Sequence, residues 1–327
     1  MIIRKLGMAF NRFGTLAGTN HKPYLIILWE LLAWVITNRG GINVYFDYEL
    51  YLTGKKSADY VKEPLFKKIE IELNSPTYYP ILEDKYMFHQ MLEGHEFRSP
   101  VNLFLVDPSG IYNFKSGKQS TQDEFLQKDF DGFCKLVNGF GGKMIFRLKL
   151  RDKSLFLDNK EIPVSEFFHF LGNRKFLIQE RIIQHAKLDL LNPSCINTLR
   201  MLTLREGQSY HFFSGFMRIG INNSIVDNLA QGNLTVGIEK ESGRLLPLAY
   251  SAKTYSEQDR LDRHPQTQTI FKDFEIPYFE GVRTPLFLLQ IYPISNFKYL
   301  KSRFEINPYS SHMDFYGWSR NEFLKRK

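Results

Sequence analysis

Four stretches in the middle of the chain carry side chains suited to holding an anion and a base. Lys135 stands on the apolar segment Phe133 to Val137, directly before Asn138-Gly139-Phe140-Gly141-Gly142-Lys143. Glycines there let backbone N–H groups approach a phosphate unobstructed, and a lysine beside them neutralises its charge. Asn-Gly and Gly-Gly also make ordinary hairpin turns, so the composition fits both readings. Gln179-Glu180-Arg181-Ile182-Ile183 closes an apolar run and offers backbone donors and acceptors beside an apolar slot, as a purine edge needs, with Glu180 in reach of base or ribose. A solvent-facing glutamate on an edge strand has the same pattern. Leu191-Asn192-Pro193-Ser194-Cys195-Ile196-Asn197-Thr198-Leu199-Arg200 is a polar loop feeding a strand, and Arg200 supplies a planar charged fork for phosphate or carboxylate. Arg218, and then Val226-Asp227-Asn228, follow on sheet-like segments. For each arginine a surface salt bridge is the alternative.

The elements that must position these groups are legible from periodicity. Tyr86, Phe88, Met91 and Leu92 recur at helical spacing after Asp84, a candidate cap, and Gly94 closes the helix. Pro100 then precedes Val101 to Val106, an apolar run suited to a strand in a parallel sheet. Ser120-Thr121-Gln122-Asp123-Glu124 opens a helix with carboxylates in its first turn, where the macrodipole favours them. Phe133 to Val137, the glycine-rich turn and Lys143 to Leu150 read as a hairpin, and Arg147 to Asp152 continues as strand and turn. Strands are also expected at Phe176 to Ile183 and Ile196 to Leu204, and Tyr210 to Val226 alternates like antiparallel strands joined by Asn222-Asn223.

The first eighty residues show no catalytic pattern. Tyr24 to Thr37, YLIILWELLAWVIT, reads as a buried or interfacial helix, since it is shorter than the ~20 residues a bilayer span needs and contains Glu30. Asn38-Arg39-Gly40-Gly41 stops it, and Ile42 to Leu52 partly alternates. The lysines from Lys55-Lys56 to Lys67-Lys68 read as a solvated face. No uninterrupted apolar region precedes Asn11-Arg12, which argues against a cleaved signal peptide.

The chain has 327 residues, enough at roughly 100–200 residues per domain for two domains or one large composite unit. Apolar residues at 43% and charged residues at 24% exclude a disordered or fibrous protein, and an aromatic share of 15% favours strands and filled cores. The two cysteines, Cys134 and Cys195, have no paired spacing, so a disulfide framework and a structural zinc site are not expected and a reducing cytoplasm fits. The formal charge of +8 suits phosphorylated small molecules, an anionic membrane face or nucleic acid. Lys and Arg are spread along the chain rather than gathered in a stripe, which argues against nucleic acid as partner.

Several of these segments together resemble a known family. Glu180 to Leu204, ERIIQHAKLDLLNPSCINTLRMLTL, with Ser214 to Asn233, SGFMRIGINNSIVDNLAQGN, and His264 to Phe279, HPQTQTIFKDFEIPYF, are similar to the sugar-transfer-associated ATP-grasp family, also called alpha-L-glutamate ligase-related. Asp84 to His95 and Asp131 to Lys143 match as well, so the likeness runs from about Asp84 to Phe279, with a weaker echo in INVYFDYELY. It implies an α+β ATP-grasp fold whose two lobes close on ATP and Mg²⁺. Residues 1–80 are then an N-terminal helical or mixed extension and 81–279 the ATP-grasp core, with a central lobe at about 120–183 and the remainder at 184–279. It also implies a ligase that activates a carboxylate as an acyl phosphate for an amine, on a precursor of a cell-surface glycan. By motif position Lys85 and Lys135 resemble phosphate-binding lysines, and Gly139, Gly141 and Gly142 the loop over the triphosphate. Gln179, Glu180 and Ile182 resemble the adenine and ribose hinge. Arg200 resembles the arginine that holds the phosphates or acyl phosphate. Arg218, Asp227 and Asn228 match positions of less defined role.

The family pattern is departed from at its metal ligands. Its members hold Mg²⁺ with a carboxylate in a Gly-Trp-Asp strand and a Glu-x-Asn pair on the next, because hard oxygens bridge metal and phosphates. This chain has Gly317-Trp318-Ser319, and its Glu305-Ile306-Asn307 precedes rather than follows them. The metal-ligand candidates are therefore Glu305, Asn307 and Asp227, and 280–327 is expected to be a divergent or truncated segment ending about one strand short. An ATP-binding protein without turnover, of regulatory role, is the alternative to the ligase. The carboxylate, the nucleophile and the oligomeric state are open.

Overall fold

The computed structural model describes Leu16 and residues 20–38, 45–46, 49–57, 68, 71, 76–93, 99–139, 141–206, 209–251 and 260–281, with the side chains of 38, 78, 202–211 and 213 excepted. Glu305, Asn307 and Gly317-Trp318 lie outside the described residues. These residues form two compact units. One holds the described residues up to Pro76 with Thr198–Ile219 and those from Gly232 on, and the other holds Thr77–Asn197 with Gly220–Gln231.

Helix α1, Tyr24–Asn38, belongs to the first unit. Its inner side buries Ile27, Leu31 and Trp34 against Tyr45, Phe46, Leu50 and Tyr51. Glu30, the one carboxylate within the helix, accepts from Lys22 at 2.8 Å and from the Tyr45 hydroxyl at 2.8 Å, and this pairing together with burial holds the phenol proton tightly. The Ile42 to Leu52 alternation does not make a strand where it is described: Tyr45-Phe46 is helical and Glu49 to Tyr51 is a turn. Packing of its aromatics beneath α1 outweighs the alternation.

The second unit begins with the short helices α2, Tyr79–Glu83, and α3, Lys85–Glu93. Asp84 caps α3 as expected, its carboxylate accepting from the N–H groups of Tyr86 and Met87, both at 2.9 Å. Strands β1 (Asn102–Asp107), β2 (Gly110–Asn113) and β3 (Lys118–Ser120) lead to helix α4, Gln122–Leu126, where Thr121 and Glu124 form a reciprocal capping box. Strands β4 (Phe130–Leu136), β5 (Ile145–Arg151), β6 (Ser154–Leu157) and β7 (Lys160–Ile162) follow, then helix α5, Val164–Leu171, strand β8, Phe176–Glu180, and helix α6, Ala186–Asp189. The strands make one sheet in the order β3-β2-β1-β8-β4-β5-β6-β7.

Every pairing in this sheet is antiparallel, including both neighbours of β1, which corrects the expectation of a parallel strand there. An apolar run reports burial on both faces and not the direction of the neighbours. The hairpin of β4 and β5 is as expected. Asp152-Lys153 and Asp158-Asn159 all have positive φ, the geometry of two-residue hairpin turns. One sheet face buries Phe104, Phe176, Ile178, Cys134, Leu148 and Leu150 against Phe125 of α4 and Phe167 of α5. The Phe104 and Phe125 rings meet edge to face at 4.9 Å, so the high aromatic content is spent in this core.

The first unit continues with β9 (Thr198–Glu206), β10 (Ser209–Ile219), β11 (Leu234–Ile238) and β12 (Leu245–Ser251), an antiparallel sheet in the order β12-β11-β10-β9. Asn222-Asn223 adopts the left-handed turn its sequence favours, with φ of 54° and 56°, but it does not join two strands. The partner of β10 is β11, and residues 220–231 between them belong to the other unit.

Candidate functional site

The second face of the eight-stranded sheet is polar, and strand register shows why. Phe133 and Asn102 both lie directly opposite Gln179, so all three share a face, and Lys135 joins them two residues beyond Phe133. A register shift between Asn102 and Phe104 lets Phe104 face the core while Asn102 faces the polar side, although they stand two residues apart. Gly132 permits the close strand contact behind them: a Cβ there would lie 2.3 Å from the Gln179 carbonyl oxygen.

A chain of side chains crosses this face. Lys135 donates to Gln179 Oε1 at 3.1 Å, and Gln179 Nε2 donates to Asn102 Oδ1 at 2.9 Å. Desolvation lowers the Lys135 pKa, and among the described residues no carboxylate pairs with the ammonium. Asn102 is 6% exposed, yet its Nδ2 finds no acceptor. Among the described residues a cation without a carboxylate partner and an orphaned donor share one face, joined through one glutamine, an arrangement suited to an anion. At the other end of the face Arg147 grips Asp131 in a bidentate pair at 3.1 and 2.7 Å, and Arg181 lies 3.6 Å from the same carboxylate. The Arg147 hydrogen bonds hold Asp131 below the usual carboxylate range. Reading the sequence for motifs missed Asn102, Asp131 and Arg147. The alternation of Arg147, Lys149 and Arg151 in IFRLKLR was the available signal for Arg147, since period-two cations line one face. Asn102 carried no signal, because the register shift that turns it is not written in residue type.

The strand that carries Gln179 ends at Glu180, three residues before the expected Ile183. The Glu180 side chain is exposed and without a partner among the described residues, while its N–H donates to the Val101 carbonyl at 2.9 Å. Ile182 is 45% exposed, and neither its N–H nor its carbonyl makes a hydrogen bond among the described residues. An apolar side chain next to open backbone groups fits a purine edge.

The glycine turn is fastened from two directions. Lys85 Nζ donates to the carbonyls of Leu136, Val137 and Gly139 at 2.9, 3.2 and 2.7 Å, so the structure places this lysine on the backbone of the turn. Gly141 and Gly142 have φ of 64° and 73°. A Cβ on residue 142 would lie 2.5 Å from Asn228 Oδ1, and Gln231 donates to the Gly141 carbonyl at 3.2 Å. The segment carrying Asn228 and the buried Asp227 therefore packs on the glycine turn. Gly142→Ala should cost about 2 kcal/mol of stability through strained φ and overlap. Part should return in the double variant with Asn228→Ala, and additive losses in thermal unfolding would show that the two residues do not meet.

The Asn192 to Asn197 block, the polar loop before β9, is a clasp. Asn197 Nδ2 reaches the Asn192 and Leu188 carbonyls at 2.8 and 3.2 Å, and its Oδ1 accepts from the Gly220 N–H at 3.3 Å. Ser194 donates to the Ser224 carbonyl at 3.0 Å. These bonds hold 220–231 onto the unit. Asn197→Ala removes these side-chain bonds, while Gln184 still donates to the Asn192 carbonyl and the Leu191 and Asn192 N–H groups to that of Leu188, and should lower stability by about 2 kcal/mol, read as a fall in the urea midpoint at constant slope.

Arg200 and Arg218 belong to the four-stranded sheet. Arg218 lies opposite Thr198 and Arg200 opposite Phe216, so the two arginines share one face as diagonal neighbours. Arg218 donates twice to Thr198 Oγ1, at 2.9 and 2.7 Å. Among the described residues no three of His, Cys, Asp and Glu gather in a form that could hold a metal ion.

Mixed helices and antiparallel sheets, with the lysine-bearing strand beside a glycine turn, make up an ATP-grasp fold. The model of the sugar-transfer associated ATP-grasp family matches residues 66–285, more than half of the chain, and the chain belongs to that family. Among curated proteins none matches. No helix of the described residues is long and apolar enough to cross a membrane.

Proposed function

We propose that this chain is an ATP-dependent carboxylate–amine ligase of the cytoplasm, acting on a precursor of a cell-surface polysaccharide or other glycan. The observation that supports the ATP part of the reading is the Lys135 ammonium, without a carboxylate partner among the described residues, joined through Gln179 to the orphaned Asn102 amide. In this reading Lys135 neutralises phosphate charge, with Lys85 holding the turn that Gly139, Gly141 and Gly142 open to phosphate oxygens. Gln179, Glu180 and Ile182 take the base and ribose. Arg200 and Arg218 stabilise charge on the transferred group. Residues 81–279 form the catalytic core beside the 1–80 extension, and Asp227, Glu305 and Asn307 are the proposed ligands of Mg²⁺, which would offset phosphate charge. ATP supplies a γ-phosphoryl group to the carboxylate oxygen with release of ADP, and the amine then displaces phosphate from the acyl carbon.

The test is phosphate release by the purified chain with ATP and Mg²⁺ over a panel of carboxylates, with and without amines. Release that requires one carboxylate and rises with one amine is the expected result. ATP binding with background release across the panel would instead describe a binding protein without turnover, and absence of binding would remove both readings.

A further inference from the structure

Helix α1 is apolar on both sides, and among the described residues only one side is packed. Leu25, Trp29, Leu32 and Ile36 recur along its outer face at 82, 71, 61 and 70% exposure, and Leu28 and Tyr24 flank them. Roughly 600 Å² of apolar side chain lies open there, at the upper end of what a soluble monomer leaves uncovered. Glu30 cannot soften this face, because its carboxylate is turned inward to Lys22 and Tyr45. At about 1.5 Å per residue, 15 residues reach roughly 22 Å, too short to cross a ~30 Å hydrocarbon layer but suited to lying in its surface.

The sequence on either side of the helix is basic, and this charge selects the occupant. The first forty residues contain Arg4, Lys5, Arg12, Lys22 and Arg39 against the single carboxylate Glu30, a balance of +4 that is half of the chain's +8. An anionic surface that accepts apolar side chains satisfies both features.

We propose that the outer face of α1 docks this protein on an anionic lipid bilayer, the helix lying in the interfacial plane with Leu25, Trp29, Leu32 and Ile36 inserted among the lipids. Tyr24 and Trp29 carry the polar-tipped rings suited to that depth. The proposal stands whether or not the ligase reading does.

The full chain is tested by flotation with vesicles of phosphatidylcholine alone or with phosphatidylglycerol, together with Trp29 emission. Binding to the anionic vesicles, at least tenfold weaker on the neutral ones, is expected, with a blue shift of emission that Trp29→Phe removes. Leu25→Glu with Leu32→Glu should reduce partitioning at least tenfold and leave the thermal midpoint unchanged, because both side chains point to solvent. Ile36→Glu provides the same test from a second position if the double variant unfolds. Equal partitioning of the variants, equal binding to neutral vesicles, or no binding at all would overturn the proposal. So would a chain that sediments as a dimer, becomes monomeric in the double variant and ignores vesicles.

Discussion

Lys135→Met should weaken ATP binding about a hundredfold while leaving the ligand-free chain at least as stable as the parent. The binding loss corresponds to about 3 kcal/mol, the scale of one charge-assisted contact removed from a partly buried site. The stability expectation follows from the lack of a carboxylate partner among the described residues. A desolvated ammonium that, among them, donates to a neutral glutamine alone is held at a cost to folding, so an apolar side chain of similar length relieves it. The pH dependence has a definite sign. The folded pKa lies below the ordinary 10.5, so between the two values the unfolded chain binds more protons and stability rises with pH. That rise should be smaller in Lys135→Met by the contribution of this one group. ATP affinity of the parent should fall over the same alkaline window, as the ammonium is lost. Calorimetric titration of nucleotide and thermal unfolding from pH 7 upward measure both, and a variant that loses stability with unchanged ATP affinity would assign Lys135 to structure instead.

Gly132→Ala carries the largest stability effect. The added Cβ would meet the Gln179 carbonyl oxygen at 2.3 Å and its carbon at 3.2 Å, and both belong to strand backbone in the middle of an eight-stranded sheet. Backbone clamped by neighbours on both sides cannot step aside as a flexible side-chain tip can. The expected loss is about 3 kcal/mol or more, with ATP binding weakened in the remaining folded protein because Gln179 is displaced. Gly232→Ala is the contrasting case: φ is 88° but no atom lies within 4 Å of the new Cβ, so only strain of about 1 kcal/mol applies. Urea unfolding of the two variants should separate them by about 2 kcal/mol, and equal losses would mean that the β4–β8 approach is looser than described.

The local elements of this chain were written in residue type, and the long-range arrangement was not. Asp84, Thr121 with Glu124, and the Asn-Gly-rich turn after Leu136 announce their caps and hairpin because each acts within a few residues. The sense of β1 was misread as parallel because apolar runs carry no direction. Asn222-Asn223 was read as a hairpin because its turn conformation is real while the strand that should follow is replaced by a segment with another role. At the site, Lys135 and Gln179 lie 44 residues apart and meet only through strand register. Motif likeness pointed to both, whereas Asn102, set by a register shift, had neither motif nor periodicity. The Asn192 to Asn197 block shows the converse: its distinctive residues are used in hydrogen bonds that fasten 220–231.

The central claim is that the polar face around Lys135 receives ATP, and amide hydrogen exchange of the full chain with and without ATP tests it most directly. The account predicts slowed exchange at the 138–142 turn, at Arg181 to Ile183 beside the open backbone of Ile182, and at Asp227 to Gln231, with all three effects lost in Lys135→Met. Protection confined to other segments, or the same protection in Lys135→Met as in the parent, would contradict it.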